Sequence, residues 1–166
     1  MRDPAADYVR SLGLPFLAHL LRRLSDRLVA EAGAFEAERG VRAPPRTAST
    51  MLLLNDRGPQ SVTAIAASLQ QSHPLVIDWI RQLHRLGLVT KSSDPEDRRR
   101  SLVALTEAGR AEAGRMAAFS EVIGEAYATL LAEVDPDLHD RLWQLHDLVE
   151  GGRLADALRA SPAAAR

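Results

Sequence analysis

Hydrophobic positions recur every three or four residues along the first quarter of the chain, the spacing at which side chains share one face of an α-helix. The pattern starts at Pro15 and ends near Arg39-Gly40, where glycine can adopt the left-handed conformation that closes a helix. Its apolar positions are Phe16, Leu17, Leu20, Leu21, Leu24, Leu28, Ala32 and Phe35. Charged side chains lie between them, so the pattern predicts a long amphipathic helix.

Three shorter helices are predicted to follow. Pro44-Pro45 forces a loop, after which residues 47–56 have a helical pattern that ends at the turn Arg57-Gly58-Pro59. Ser61 is a suitable N-cap for the next helix, which extends to residue 69.

The polar segment Gln70-Gln71-Ser72 separates that helix from another, which ends near Gly87. Its apolar stripe consists of Val76, Trp79, Ile80 and Leu83. Two short helices joined by a tight polar turn are typical of a helix-turn-helix, in which the second helix enters a DNA major groove.

Two β-prone runs, residues 88–92 and 101–105, flank a turn that contains three consecutive arginines. They predict an antiparallel hairpin with positive charge at its tip. Thr106 is placed to cap the next helix, predicted over residues 107–134, with Glu107 at its positive end.

A last helix is predicted to start at Asp135-Pro136, since these residues combine a cap with a proline at the first helical position. Gly151-Gly152 interrupts this helix, and the pattern resumes through Leu158.

Composition narrows the class of protein. The 166 residues are 46% hydrophobic but only 4% aromatic, which favours a mainly helical globular chain. Lys and Arg number 21 against 22 Asp and Glu, for a formal charge of −1. Any attraction to nucleic acid must therefore come from a local patch.

Several function classes are excluded or disfavoured. The chain has no cysteine, so disulfides and thiolate metal sites are excluded. The sequence contains no H-E-x-x-H, G-x-S-x-G or phosphate-cradling glycine loop, and we expect neither enzymatic activity nor a cofactor. The first residues lack the apolar core of a signal peptide, and no apolar run approaches the length of about 18 residues that a membrane helix needs, so we expect a cytoplasmic protein.

The order of elements and three segments resemble the MarR family of winged-helix transcriptional regulators. The segments are SVTAIAASL at 61–69, SHPLVIDWIRQLHRLGLV at 72–89 and DPEDRRRSLVALTEAG at 94–109. The last segment is the most specific, because D-P-x-D-x-R is followed by an apolar strand and by L-T-x-x-G. The helix-turn-helix alone would be a weak signal.

The resemblance implies a mainly α fold in which a winged helix-turn-helix lobe with a small β-hairpin wing lies between dimerisation helices. The expected divisions are 1–45 for the N-terminal dimerisation helix and loop, 46–106 for the DNA-binding lobe and 107–166 for the C-terminal dimerisation helices. The resemblance further implies a homodimer that binds a palindromic operator and represses genes there. A small-molecule effector would release this dimer from the DNA.

The family's wing implies that Arg98 or Arg99 enters a minor groove while Asp97 helps to fix the turn. Between Ser72 and Leu105 there are six basic and four acidic residues, so 6 − 4 gives a lobe charge of only +2. We therefore expect moderate affinity with a clear salt dependence. The candidate DNA-binding residues are Ser61, Gln71, Ser72, His73, Pro74, Ile77, Asp78, Arg81, Arg85, Lys91, Arg98, Arg99 and Arg100.

Within the recognition helix, Ser72 can cap the first turn and expose backbone amides to a phosphate. His73 can bond a base or a phosphate, and Pro74 and Ile77 can meet thymine methyl groups. Asp78 departs from the family pattern, which has a cationic or neutral polar residue there in many members. It can accept a hydrogen bond from a cytosine amino group, or it can pair with Arg81 or Gln82 within its own helix, and the two alternatives have equal weight.

Two further groups of residues have ordinary explanations. His139, Trp143 and His146 share a helix face, but a metal site would need ligands from elsewhere, such as His19, so a dimer-face or core role is favoured. Phe16, Phe35, Phe119 and Tyr127 are candidate linings of a ligand pocket, although aromatic residues at such spacings more often belong to the core. A winged-helix module that binds ligands or proteins without contacting DNA remains the alternative function.

Overall fold

The computed structural model describes residues 7–95, 97, 99 and 101–162. The chain divides after Ser120 into two compact units. The helices are α1 (Tyr8–Leu12), α2 (Leu17–Glu38), α3 (Ala48–Arg57), α4 (Val62–Leu69), α5 (His73–Arg85), α6 (Glu107–Ala132), α7 (Leu138–Glu150) and α8 (Arg153–Ala160). The strands are β1 (Gln60–Ser61), β2 (Val89–Ser93) and β3 (Ser101–Leu105). The predicted fold class, mainly α with a winged helix-turn-helix lobe, is confirmed.

The long first helix is present, but it begins two residues later than predicted. Pro15 lies in a 3₁₀ turn, Leu14–Phe16, and α2 starts at Leu17. The helix ends at Glu38, and Gly40 adopts a φ of 79° just beyond it. The leucines of its first half are exposed rather than buried; they are Leu17, Leu20, Leu21 and Leu24.

The core of the first unit lies among α3, α4, α5 and the sheet. Met51, Ile65 and Ile80 are fully buried at its centre. Ser61 caps α4 as predicted, since its Oγ accepts a hydrogen bond of 3.2 Å from the amide of Ala64. Gln70 ends α4 with a left-handed φ of 50°, which turns the chain into α5.

The sheet has three antiparallel strands in the order β1-β3-β2. In the predicted hairpin, Val89 pairs with Leu105 and Ser93 pairs with Ser101. Strand β1 is an addition to the predicted hairpin: Gln60 pairs with Val103 on the other edge of β3. A two-residue strand is too short to produce an alternating hydrophobic pattern, so its pairing partner defines it.

The last helices differ from the prediction at one boundary. Asp135 does not cap α7; its Oδ1 accepts a 3.0 Å hydrogen bond from the amide of Asp137, and the helix starts at Leu138. This local turn competes with helix formation at Pro136. The break at Gly151-Gly152 is as predicted.

Helices α7 and α8, described over their full length, contain no buried residue. Within the described ranges, no helix combines the length and the apolar character needed to cross a membrane.

A buried pair of carboxyl groups links α2 to α6 in the first unit. Glu112 is fully buried, and its Oε1 accepts hydrogen bonds from the backbone amides of Arg42 at 2.5 Å and Ala43 at 2.8 Å. Its Oε2 accepts one from Arg115. Burial pushes the pKa of Glu112 upward, but the hydrogen bonds from Arg115, Ala43 and Arg42 outweigh this effect and hold the pKa below its ordinary value.

Glu36 has the opposite environment. It is 6% exposed, and its Oε2 has no hydrogen-bond partner among the described residues. Burial raises the pKa of Glu36, and the negative charge of Glu112 raises it further. The pKa values of the two carboxyl groups are therefore shifted in opposite directions.

We expect Glu36→Gln to change the pH dependence of stability. The folded-state pKa of Glu36 is raised, so the protonated side chain contributes to the stability of the fold. This stability is fully present below the ordinary pKa of 4.5 and is lost as pH rises through the raised pKa. The variant should therefore gain stability relative to wild type as pH increases from 4 to 8, in urea unfolding measured across that range. Glu112, whose pKa is held below its ordinary value of 4.5, is ionised over most of this range in both proteins.

The matched control is Glu38→Gln, because the side chain of Glu38 is 75% exposed on the same helix. Its stability relative to wild type should be nearly constant with pH. If the stability difference between Glu36→Gln and wild type is also constant with pH, the raised pKa of Glu36 is contradicted.

Candidate nucleic-acid interface

Helix α5 has one buried side and one exposed side. Val76, Ile80 and Leu83 are fully buried, and Trp79 is 9% exposed. Pro74 lies in the first turn, where its missing amide proton leaves no hydrogen bond unmade. Ser72 occupies the N-cap position, but it makes no capping hydrogen bond with its side chain; its carbonyl accepts from the amide of Val76 at 3.1 Å.

The exposed side of α5 brings together most of the predicted contact residues. Gln71 and Ser72 are exposed in the preceding turn, and Ile77 is partly buried. Ser61 is set apart from this group, because its hydroxyl is used in capping α4. The exposed members on the helix itself are His73, Pro74, Asp78, Arg81 and Arg85.

A groove of about 610 Å³ follows the second half of α5 and reaches strand β2. Its walls are formed by Asp78, Arg81, Gln82, His84, Arg85 and Lys91. Two arginines and a lysine thus converge on one open surface, although the chain as a whole has a charge of −1. Asp78 is the single acid in this set, and its Oδ1 accepts a 3.0 Å hydrogen bond from Nη1 of Arg81.

The hairpin presents Arg99 to solvent. Its side chain is 97% exposed, and its backbone amide donates a 3.0 Å hydrogen bond to Oδ1 of Asp97. Its Nε lies 3.7 Å from the same oxygen. Asp97 therefore anchors the backbone beneath Arg99. Arg98 and Arg100, also named from the sequence, lie outside the described residues.

The base of the hairpin is joined to both neighbouring helices. Thr106 Oγ1 donates to the carbonyl of Gly87 at 2.7 Å and accepts from the amide of Gly109 at 2.9 Å. The Thr106 amide donates to the carbonyl of Leu88 at 3.0 Å. These bonds fix the base of the hairpin between the end of α5 and the start of α6.

Two of the four aromatic residues named as ligand candidates are in contact. The rings of Phe35 and Phe119 meet edge to face with centroids 5.9 Å apart, and the Arg39 guanidinium lies 3.5 Å from the Phe35 centroid. Phe16 is 41% exposed at the start of α2. Tyr127 belongs to the second unit.

A cavity of about 380 Å³ lies between α2, the 3₁₀ turn Pro45–Thr47 and α5. Its walls are formed by Val29, Ala30, Gly33, Pro44, Pro45, Arg46, Thr47, Trp79 and Gln82. A Cβ atom on Gly33 would lie 2.4 Å from Cγ of Pro45, so the absence of a side chain there permits the close approach of the turn to α2. The sequence pattern did not reveal this cavity, because its walls come from three separate segments of the chain, within residues 29–33, 44–47 and 79–82.

The histidine face of α7 has its own internal contacts. Trp143 Nε1 donates a 3.2 Å hydrogen bond to Nε2 of His139, and the Trp143 and His146 rings meet at a steep angle with centroids 5.3 Å apart. In the described part of the chain, no three His, Asp or Glu side chains are grouped so that they could hold a metal ion.

A family model and several solved structures are similar to this chain. Residues 45–101 match the model of the MarR family. No curated protein sequence matches the chain.

Solved structures with a similar fold include two transcriptional regulators and a third DNA-binding protein. A probable transcriptional regulator from Pseudomonas aeruginosa is 25% identical, with a TM-score of 0.62 over 80% of this chain and 96% of that one. BpsR from Bordetella bronchiseptica, whose DNA binding is regulated by 6-hydroxynicotinic acid, is 27% identical, with a TM-score of 0.63 over 81% and 92%. The transcriptional repressor CouR, bound to a 23-mer DNA duplex, is 25% identical, with a TM-score of 0.64 over 81% and 92%.

The exposed recognition helix and the adjoining hairpin define a winged helix-turn-helix protein. The match of residues 45–101 to the MarR family model identifies this lobe as a winged helix of the MarR type, and the similar solved structures include transcriptional regulators.

We expect Gly109→Ala to loosen the base of the hairpin. A Cβ atom at this position would lie 1.9 Å from the carbonyl oxygen of Leu88, so α6 and the hairpin must separate. Overpacking of this kind costs about 1–3 kcal/mol, which urea unfolding would measure.

Gly114→Ala on the same helix is the matched control. No atom lies within 4 Å of a Cβ placed there, so alanine should stabilise the helix by about 0.5–1 kcal/mol. Equal effects of the two substitutions would show that the Gly109–Leu88 approach does not constrain the hairpin.

Proposed function

We propose that this protein is a repressor that binds a palindromic operator as a homodimer and releases it when a small molecule binds. Each protomer inserts α5 into a major groove and places Arg99 in the neighbouring minor groove. The divisions 1–45, 46–106 and 107–166 then correspond to the N-terminal dimerisation arm, the DNA-binding lobe and the C-terminal dimerisation helices.

The arrangement of positive charge carries this proposal. Arg81, Arg85 and Lys91 line the groove beside α5, and Arg99 extends from the hairpin that Thr106 joins to the same helix. Each cation that neutralises a phosphate releases counterions, so affinity should fall steeply with salt. Ser72, His73 and Pro74 lie at the start of α5, the part of a recognition helix that meets base edges.

Exposed apolar side chains outside the lobe support the homodimer. In the first unit they include Leu17, Leu20 and Leu24 of α2. In the second unit, helix α7 exposes Leu142, Trp143, Leu145, Leu148 and Val149. Contiguous apolar surface of this kind marks an interaction site, and a second copy of the chain supplies the same surface.

The cavity beside Trp79 and Gln82 supports control by an effector. Its volume of about 380 Å³ suits a small molecule. Gln82 lines both this cavity and the groove on the other side of α5. A ligand that displaces Gln82 or Trp79 would therefore move the helix that meets DNA, and binding of the ligand and of DNA would oppose each other. BpsR and its regulator 6-hydroxynicotinic acid give a precedent among similar structures.

We expect Arg99→Ala to weaken DNA binding without unfolding the protein, because the side chain is 97% exposed. The affinity is measured by gel shifts on DNA from upstream of the protein's own gene, repeated from low to moderate salt. Compared with wild type, the slope of log affinity against log salt concentration should be shallower by about one per protomer.

Arg27→Ala on α2 is the control for a general loss of positive charge, since Arg27 is exposed and pairs with Glu31. It should leave the salt slope unchanged. If wild-type protein fails to shift any DNA even at low salt, the chain is instead a winged-helix module that acts without DNA.

We expect Leu142→Glu to dissociate the homodimer, because it places a charge on the exposed apolar face of α7. Light scattering coupled to size exclusion should show the mass fall toward that of one chain, 18.1 kDa. Gln144→Glu, which adds the same charge at an exposed position on another side of α7, should leave the mass unchanged. A wild-type mass of one chain at micromolar concentration would refute the dimer.

A further inference from the structure

We propose that Asp78 and Arg81 act as one unit that reads a G·C base pair in each half-site. The inference rests on the proposed DNA binding and adds a specificity to it. It gives a function to the one acidic side chain in a groove that is otherwise built from cationic and neutral groups.

The pair is placed on the side of α5 that faces away from the core. The side chain of Asp78 is 61% exposed and that of Arg81 is 67% exposed, one helical turn apart. Only Oδ1 of Asp78 and Nη1 of Arg81 bond to each other. Within the described part of the chain, Oδ2 of Asp78 and the other guanidinium nitrogens of Arg81 make no hydrogen bond and remain available to a partner.

Helix stability does not account for the pair. An exposed ion pair at this spacing changes the helix equilibrium by about twofold or less. A carboxylate beside the DNA backbone meanwhile repels phosphates, so Asp78 opposes non-specific binding. An acid is useful here only if a donor on the DNA meets it.

The major-groove edge of a G·C pair supplies the required pattern. Guanine presents two adjacent acceptors, N7 and O6, which suit the two donors of an arginine, and cytosine presents an amino donor, which suits a carboxylate. In an A·T pair the adenine amino group separates the two acceptors, so a forked guanidinium cannot bond both.

The spacing of the pair fits the same edge. The O6 of guanine and N4 of cytosine are joined by a Watson–Crick hydrogen bond of ordinary length, about 2.9 Å. The Asp78 and Arg81 atoms that bond to each other are 3.0 Å apart. While these two atoms stay bonded, Nη1 keeps a second hydrogen and Oδ1 keeps a further lone pair, so the pair also offers a donor and an acceptor at nearly the separation at which the base pair offers an acceptor and a donor.

Two neighbouring cations of the protein can hold the Asp78–Arg81 pair against the DNA major groove. Arg85 and Lys91 line the same surface and can bond phosphates on either side. They offset the repulsion caused by Asp78, so affinity comes from these cations while discrimination comes from the pair.

The test measures specificity and affinity separately. An operator is selected from a random DNA library with the wild-type protein, and affinities are measured for every symmetric base-pair substitution in its half-sites. We expect one position at which G·C is preferred by about fivefold to 150-fold. In Asp78→Ala, Arg81→Ala and the double variant, this preference should fall to about twofold or less.

Two further variants make the test specific. Asp78→Asn should shift the preference toward A·T, because a carboxamide bonds adenine at two atoms. Arg85→Ala, which removes a cation from the same groove, should weaken binding to all operators alike and keep the preference.

The outcomes separate the two proposals. If Asp78→Ala binds every operator more tightly with an unchanged order of preference, the pair is an intrahelical ion pair and the base reading is refuted. If the wild-type protein selects no DNA, the proposed function fails and the base reading fails with it.

Discussion

The burial of one side of helix α5 is the constraint on which the remaining structure depends. Val76, Ile80 and Leu83 are fully enclosed by the core. Burying three aliphatic side chains contributes several kcal/mol, at about 1.5–3 kcal/mol for each, and it fixes the rotation of the helix about its axis. The opposite side, with Asp78 and Arg81, must then face solvent. A change in that rotation would turn the contact residues away from a docked duplex.

The hairpin depends on the same helix. Thr106 bonds the carbonyl of Gly87, just beyond α5, and Gly109 brings α6 against the carbonyl of Leu88. A recognition helix and a flexible loop would place Arg99 over a wide range of positions. Because the hairpin is tied at its base, the cation has a restricted reach, and less conformational entropy would be lost in the proposed complex with DNA.

A nearly neutral chain can bind a polyanion if its charges are segregated. The formal charge is −1, yet Arg81, Arg85 and Lys91 converge on one groove. Exposed pairs such as Arg27 with Glu31 lie elsewhere on the chain. In the proposed complex few cations are available for phosphates, so base discrimination by Asp78 would have a larger share in binding than it would on a strongly basic surface.

Local signals explain what could be predicted from the sequence. The caps at Ser61 and Thr106 and the apolar stripe of α5 depend on residues within a few positions of one another, so pattern and capping rules identify them. Other features depend on distant residues. Glu112 bonds the amides of Arg42 and Ala43 across about 70 positions, and the cavity beside Gly33 depends on the approach of Pro45.

The central claim is that α5 and the hairpin meet one duplex at the same time. Since the chain has no cysteine, Gln71→Cys and Ser93→Cys can each carry a single iron chelate that cleaves nearby DNA. Residue 71 precedes α5 and residue 93 ends β2 before the hairpin turn. On the selected operator, both should give cuts that are symmetric about its centre, with the two sets about half a helical turn apart, or about five base pairs. Cleavage from position 71 with none from position 93 would contradict the claim.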